Sequence, residues 1–288
     1  SKGELNIFAG GSGSGKSLVL MNIALNWVLQ GLSGVYISLE LSEALTSLRT
    51  DAMLSNMSTK DIRRDMDTTT MKVKMVGKKS GKYRVKALSA QSNINDIRAY
   101  LKEVQVQTGM PIDFVMVDYL DLLMPVSAKV SPNDLFVKDK YVSEELRNLA
   151  KELDILMVTA SQLNRSAVEE IEFDHSHISG GISKINTADN VFGIFTSRAM
   201  RERGRYQIQC MKSRSSTGVG MKIDLDYNID TMRMTDLPDD GTDNRPQGNI
   251  MDQIKSSPAT GNTDESKVTA TVQSSKLKNM LAGLKQND

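Results

Sequence analysis

The chain has a single cysteine, Cys210, and only two histidines in 288 residues. One thiol permits no intrachain disulfide, which suits a reducing, cytoplasmic compartment. The histidines, His175 and His177, form H-x-H in a polar stretch, with no cysteine or further histidine near enough in sequence to complete a zinc set. They read as surface residues. Charge of one sign is also missing: 36 basic against 35 acidic residues leave a net +1. No global basic field advertises nucleic acid, so any such contact has to be local. No apolar run reaches the roughly 18–20 residues of a membrane span, and the first residues lack signal-peptide character. The remainder, 39% hydrophobic and 25% charged, is ordinary globular composition. The 17 methionines are scattered and read as core filler.

Against this background one stretch stands out, Gly10–Ser17, which reads GGSGSGKS. It follows a short apolar strand (Leu5, Ile7, Phe8, Ala9) and opens a helical run from Leu18 to Leu29. That is G-x-x-x-x-G-K-[ST] with a strand before it and a helix after. Gly10, Gly11, Gly13 and Gly15, with Ser12 and Ser14 between them, let successive N–H groups turn inward as an anion cradle at a helix N-terminus. Lys16 can then reach the β- and γ-phosphates, and the Ser17 hydroxyl can ligate Mg²⁺. A flexible Gly/Ser linker would look similar through residue 15 but would not continue into Lys-Ser and a helix. The stretch predicts a nucleoside triphosphate site. It stands so close to Ser1 that an N-terminal domain is expected to precede it.

Further along, Val35–Leu39 reads as a strand ending in Glu40, and Ile112–Val117 as one ending at Asp118. Ile155–Ala160 is a third, ending at Ser161-Gln162, with helices predicted between them near 42–54, 93–108 and 137–152. Further strands are expected near 191–196, 205–211 and 221–227. Alternating strands and helices argue a mostly parallel sheet flanked by helices, an α/β fold. Ligands of such sheets bind beyond the carboxyl ends of the strands, and Glu40, Asp118 and Gln162 all stand there. Asp118 reads as an organiser of Mg²⁺. Glu40 reads equally as a base for water or as a carboxylate at a helix start. Residues 71–88, MKVKMVGKKSGKYRVKAL, predict a basic β-hairpin at 71–86, suited either to DNA or to protecting a sheet edge. From Pro238 the composition turns polar, which predicts a folded domain over 1–237 and a disordered tail over 238–288. The end of the tail carries Leu277, Met280, Leu281 and Leu284 at helical spacing, either a partner-binding helix or a frayed terminus.

Five segments, in order, extend the motif: GGSGSGKS, YISLELSEALTSLR, FVMVDYLDLL, TASQLNRSAVEE and CMKSRSSTGVG. Together they resemble the DnaB-type replicative DNA helicases over about residues 1–230, with the tail and basic segment nearest the T-even phage branch. The resemblance implies a RecA-like core in a homo-hexameric ring around single-stranded DNA, binding ATP with Mg²⁺ between subunits. It implies ATP hydrolysis, 5′ to 3′ travel, a primase and a helicase loader as partners, and the cytoplasm of a host cell if phage-encoded. By resemblance Lys16 and Ser17 hold phosphate and metal, Glu40 is the base, Asp118 supports Mg²⁺ and Gln162 senses the γ-phosphate. Lys212 and Arg214 match K-x-R, whose Arg acts as a finger in the neighbouring site and whose Lys approaches the phosphates. Arg49 matches the Arg after the Glu motif, with its role left open. A DNA loop is implied within 164–190, where Gly180, Gly181 and Lys184 replace the family's more usual Arg-Glu-Ser-Gly run. A RecA-type recombinase filament is the alternative on the same fold.

Overall fold

A computed structural model describes residues 1–126, 135–162 and 186–237 of the chain. Nine strands form one sheet: β1 (Leu5–Gly10), β2 (Gly34–Ser38), β3 (Tyr83–Ala87), β4 (Phe114–Asp118), β5 (Leu156–Gln162), β6 (Asn190–Phe195), β7 (Arg205–Ser213), β8 (Lys222–Tyr227) and β9 (Met234–Asp236). Their order is β3-β2-β4-β5-β1-β6-β7-β8-β9. The first six are parallel; β7, β8 and β9 continue the sheet antiparallel. The expected α/β fold with a mostly parallel sheet is present. Among the described residues no helix is long and apolar enough to cross a membrane.

Both faces of the sheet are covered, which is why its central strands read as unbroken apolar runs. On β1, Leu5, Ile7 and Ala9 belong to one core and Phe8 to the other, as a period of two requires. The first core is closed by α5 (Ile94–Thr108) and α6 (Leu135–Leu153), through Ile97, Leu101, Val142 and Leu146. The second is closed by α1 (Lys16–Leu29), whose Leu20, Ala24 and Leu25 pack on Tyr36, Phe114 and Met116. A capping box starts α5, Asn93 and Asp96 each satisfying the other's backbone N–H group. Ser42 caps α2 (Glu43–Ser55) by accepting the Leu45 N–H.

The expected hairpin at 71–86 is absent. Residues 59–77 form two helices, α3 (Thr59–Arg64) and α4 (Met66–Gly77), and the segment after them becomes β3, parallel to β2. The alternation of Met71-Lys72-Val73-Lys74 imitates a strand, but the inward stripe is Thr69, Val73 and Val76, at helical spacing. Thr69 is buried, and Val73 and Val76 line a cavity against α2 and β3. Asp65 caps α4 through the Thr68 N–H. No tight turn is needed after it, because β3 does not return along α4. Instead Gly81 crosses the end of α1, donating its N–H to the Val28 carbonyl. A Cβ there would lie 1.9 Å from the Leu32 carbonyl oxygen, so only glycine fits. The edge-strand part of the expectation stands: β3 is the sheet's last strand on that side and carries Arg84 and Lys86.

The methionines are not all filler. Met21, Met116 and Met157 are buried, but Met66, Met71 and Met75 stand exposed on α4. The tail from 238 with the helix expected near its end, the two histidines, and Gly180, Gly181 and Lys184 lie outside the described residues.

Candidate active site

β1 ends at Gly10, and the chain turns through Gly11–Gly15 into α1. Gly15 is the N-cap residue at φ 83°, a conformation side chains resist, and a Cβ there would meet the Tyr206 hydroxyl at 2.6 Å. The loop is thus pressed against β7. The Arg201 guanidinium, on α7 (Arg198–Glu202), donates to the Gly13 carbonyl from the same side. The Lys16 ammonium donates to the carbonyls of Gly11 at 2.9 Å and Gly10 at 3.4 Å. Burial lowers the Lys16 pKa, while Asp121, Asp118 and Glu40, in that order, pull it back up.

A cleft of about 270 Å³ opens over this loop, lined among others by Lys16, Ser17, Glu40, Arg49, Tyr119 and Gln162. Those residues come from five separate stretches, and register explains why they meet. β1 and β5 pair in parallel with Gly10 opposite Gln162, and β2 and β4 with Ser38 opposite Asp118. β4 and β5 pair through Val117 and Thr159, so the four strands end within two residues of one another, β1 and β5 reaching further. The convergence expected from strand ends is what the structure places there. Glu40 is exposed to the cleft, and Arg49 reaches it from α2.

Asp118 is fully buried at the end of β4. Its Oδ2 accepts the Tyr36 hydroxyl at 2.7 Å, and its Oδ1 has no hydrogen-bond partner among the described residues. Burial raises its pKa, and the nearby Glu40 charge adds to this. The Ser17 and Tyr36 hydroxyls favour the ionised form. A buried carboxylate oxygen without a donor, on the strand end that faces Ser17, fits water of a Mg²⁺ shell. Among the described residues no cluster of three His, Cys, Asp or Glu could hold a metal by itself, so the ion fits here only together with nucleotide phosphates and water.

Lys212 and Arg214 are elsewhere. β6 pairs with β1 at Asn6–Asn190, and β7 runs back so that Ser213 sits opposite Asn190. Ser213 is therefore level with Asn6, while the phosphate loop follows Gly10. Four residues of strand separate the two levels by about 13 Å. Lys212 and Arg214 stand at the sheet end where β1 begins, and Arg214 lines a second cleft with Lys140, Glu144 and Arg147. There Lys212 donates to the Asn186 and Ala188 carbonyls, both at 2.8 Å. Arg214 donates to the Asn186 carbonyl at 3.1 Å and to Asp189 at 3.4 Å. Asp189 is buried, and burial alone would raise its pKa. Its 2.6 Å pair with Arg147, the Leu5 N–H and the Arg214 charge instead hold it low. Burial, aided by Arg214 and Arg147, brings Lys212 down to about 8.

Three residues escaped the sequence reading: Asp121, Arg201 and Tyr206. Asp121 belongs to the short 3₁₀ turn Leu120–Leu122 after β4, and its Oδ2 accepts the Gln162 N–H at 2.9 Å. Its only sequence signal is a second acid three places after Asp118. Arg201 and Tyr206 reach the loop from about 190 residues away, and no local pattern announces that.

A family model, the DnaB-like helicase C-terminal domain, matches residues 1–236. A DnaB-like replicative helicase of Enterobacteria phage T4 is 26% identical over 222 residues, 74% of this chain and 46% of that protein. A probable plasmid replicative DNA helicase of Chlamydia psittaci is 30% identical over 170 residues, 57% of this chain and 36% of that protein. The chain thus spans less than half the length of these curated relatives. A solved ATPase domain matches with a TM-score of 0.67 at 19% identity, covering 83% of this chain and 86% of that one. A DnaB-like replicative helicase, described with its interactions with primase, matches with a TM-score of 0.66 at 18% identity, covering 82% and 58%. At such identities the solved structures speak for the fold.

Proposed function

The chain belongs to the DnaB-like helicase C-terminal domain family, and on that premise we propose that it is the ATP-hydrolysing motor of a replicative DNA helicase. One observation carries the reading. The phosphate loop, Glu40 and Gln162 line a cleft at one end of the sheet, while Lys212 and Arg214 stand at the other. Such a site is completed by a second copy, and repetition of a head-to-tail interface closes into a ring. The proposed assembly is a homo-hexamer around single-stranded DNA.

In each interface Lys16 and the loop N–H groups bind the ATP phosphates. Ser17, with Asp118 behind it, would hold Mg²⁺, and the ion would supply neutralisation of charge at the phosphates. Glu40 takes a proton from water as the oxygen attacks the γ-phosphorus and the bond to ADP breaks. Arg214 of the neighbouring copy stabilises the spreading charge, with Lys212 beside it. Gln162 senses the γ-phosphate and passes its loss to the segment that follows, where Gly180, Gly181 and Lys184 are proposed to hold the DNA backbone. Travel from 5′ to 3′, a primase, a loader and a host-cell cytoplasmic location complete the proposal. Residues 1–237 form the motor and 238–288 a separate tail.

The deciding experiment offers forked duplexes with a 5′ or a 3′ single-stranded tail, with Lys16→Ala as control. ATP-driven unwinding that needs the 5′ tail and disappears with Lys16→Ala is the expected result. DNA-stimulated hydrolysis with strand exchange and no unwinding would move the protein to the recombinases.

A further inference from the structure

The β4–β5 ladder stops at Val117 and Thr159, yet β5 runs on to Gln162. The Gln162 N–H lies beyond that ladder and needs an acceptor other than β4. Asp121 supplies it. Its Oδ2 accepts the Gln162 N–H at 2.9 Å, and its Oδ1 receives the Ser161 hydroxyl at 3.4 Å. The turn that carries Asp121 is pinned by the fully buried Leu120 and Leu123, and by Lys138 of α6, whose ammonium donates to the Asp121 carbonyl.

We propose that Asp121 is a positioning residue of the nucleotide site: it clamps the end of β5 so that Gln162 meets the terminal phosphate from a fixed place. Asn in its place keeps an acceptor for the Gln162 N–H, and Ala does not. This rests on the proposed reading of the cleft as an ATP site and of Gln162 as its γ-phosphate sensor.

The test is equilibrium binding of ADP and of a non-hydrolysable ATP analogue to the full chain, in wild type, Gln162→Ala, Asp121→Ala, Asp121→Asn and the double Ala variant. Gln162→Ala and Asp121→Ala are each expected to lose about tenfold of the preference for the triphosphate, the size of one hydrogen bond to a charged group. The double variant should lose no more than either single one, because both changes remove the same contact. Asp121→Asn should keep the preference, because its amide oxygen still accepts the Gln162 N–H. A structural role alone would move stability but not the ratio of the two affinities. An unchanged ratio in Asp121→Ala, or losses that simply add, overturns the proposal. If Asp121→Ala does not fold, Asp121→Leu, which keeps the bulk and removes the acceptor, decides by the same ratio: a loss supports the clamp, and an unchanged ratio overturns it. Lys16→Ala binding both nucleotides like wild type would remove the ATP-site reading itself, and Gln162→Ala keeping the ratio would remove the sensor on which the clamp acts.

Discussion

Lys212 makes the residue scale measurable through pH. Burial, with the Arg214 and Arg147 charges behind it, brings its pKa from 10.5 to about 8, so the ammonium titrates in the range where hydrolysis is assayed. If a charged Lys212 approaches the neighbour's phosphates, DNA-stimulated hydrolysis falls as pH rises through about 8. Stability moves the other way. Between the folded value and 10.5 the unfolded chain binds the extra proton, so raising pH across that window favours the fold. Lys212→Arg keeps its charge throughout, and its pH–rate profile should lose the falling limb near 8. A limb that stays in place in Lys212→Arg would belong to another group. Glu40, Asp118 and Gln162 were legible because each ends an apolar strand, and parallel strands ending together bring their last residues to one place. Asp121 and Arg201 were not, because their partners are set by tertiary packing and a carboxylate in a turn or an arginine on a short helix looks the same whatever it touches.

At the scale of elements, the misread segment shows where period fails. Residues 71–75 alternate apolar and basic, and over five residues a strand and the exposed side of a helix can look alike. Starting the window at Asp65 brings in that residue as a cap and Thr69, Val73 and Val76 as a helical stripe, and the alternation becomes incidental. The central strands gave no such trouble, since burial on both faces leaves them continuously apolar. The passage from α4 to β3 depends on Gly81, whose backbone lies against Leu32 with no room for a Cβ. Gly81→Ala should therefore lower unfolding free energy by about 2–4 kcal/mol, as backbone clashes in packed turns do, measured by urea titration with the slope unchanged. A loss no larger than an exposed-surface substitution gives would mean that the edge strand and its turn yield freely. The phosphate loop, remote from this edge, should keep its nucleotide affinity in that variant.

At the scale of the whole molecule, the separation of Lys16 from Arg214 is the fact with most consequence. The two stand at opposite ends of β1, on clefts that share no lining residue, so neither can act on the other's cleft within one chain. Arg214→Ala should therefore bind ATP normally and lose turnover by about 10³-fold or more, the range found for a trans-acting arginine. Its pairing with Asp189 is not what holds the fold, because the tighter Arg147 pair and the Leu5 N–H remain. Mixing supplies the sharper test. Lys16→Ala subunits bring an intact finger and Arg214→Ala subunits an intact phosphate loop, each inactive alone. Where an Arg214→Ala phosphate loop meets a Lys16→Ala finger, the interface has both groups. Random co-assembly in equal amounts makes about a quarter of interfaces complete, as repetition of one head-to-tail contact requires, so mixed samples should recover up to about that share of wild-type hydrolysis. A mixture that co-assembles, as affinity tags on the two variants would reveal, yet stays as inactive as its parts would place Arg214 outside the neighbour's site. Recovery would fix the direction of the subunit contact as well: the end of the sheet that carries Lys212 and Arg214 faces the cleft of the next copy.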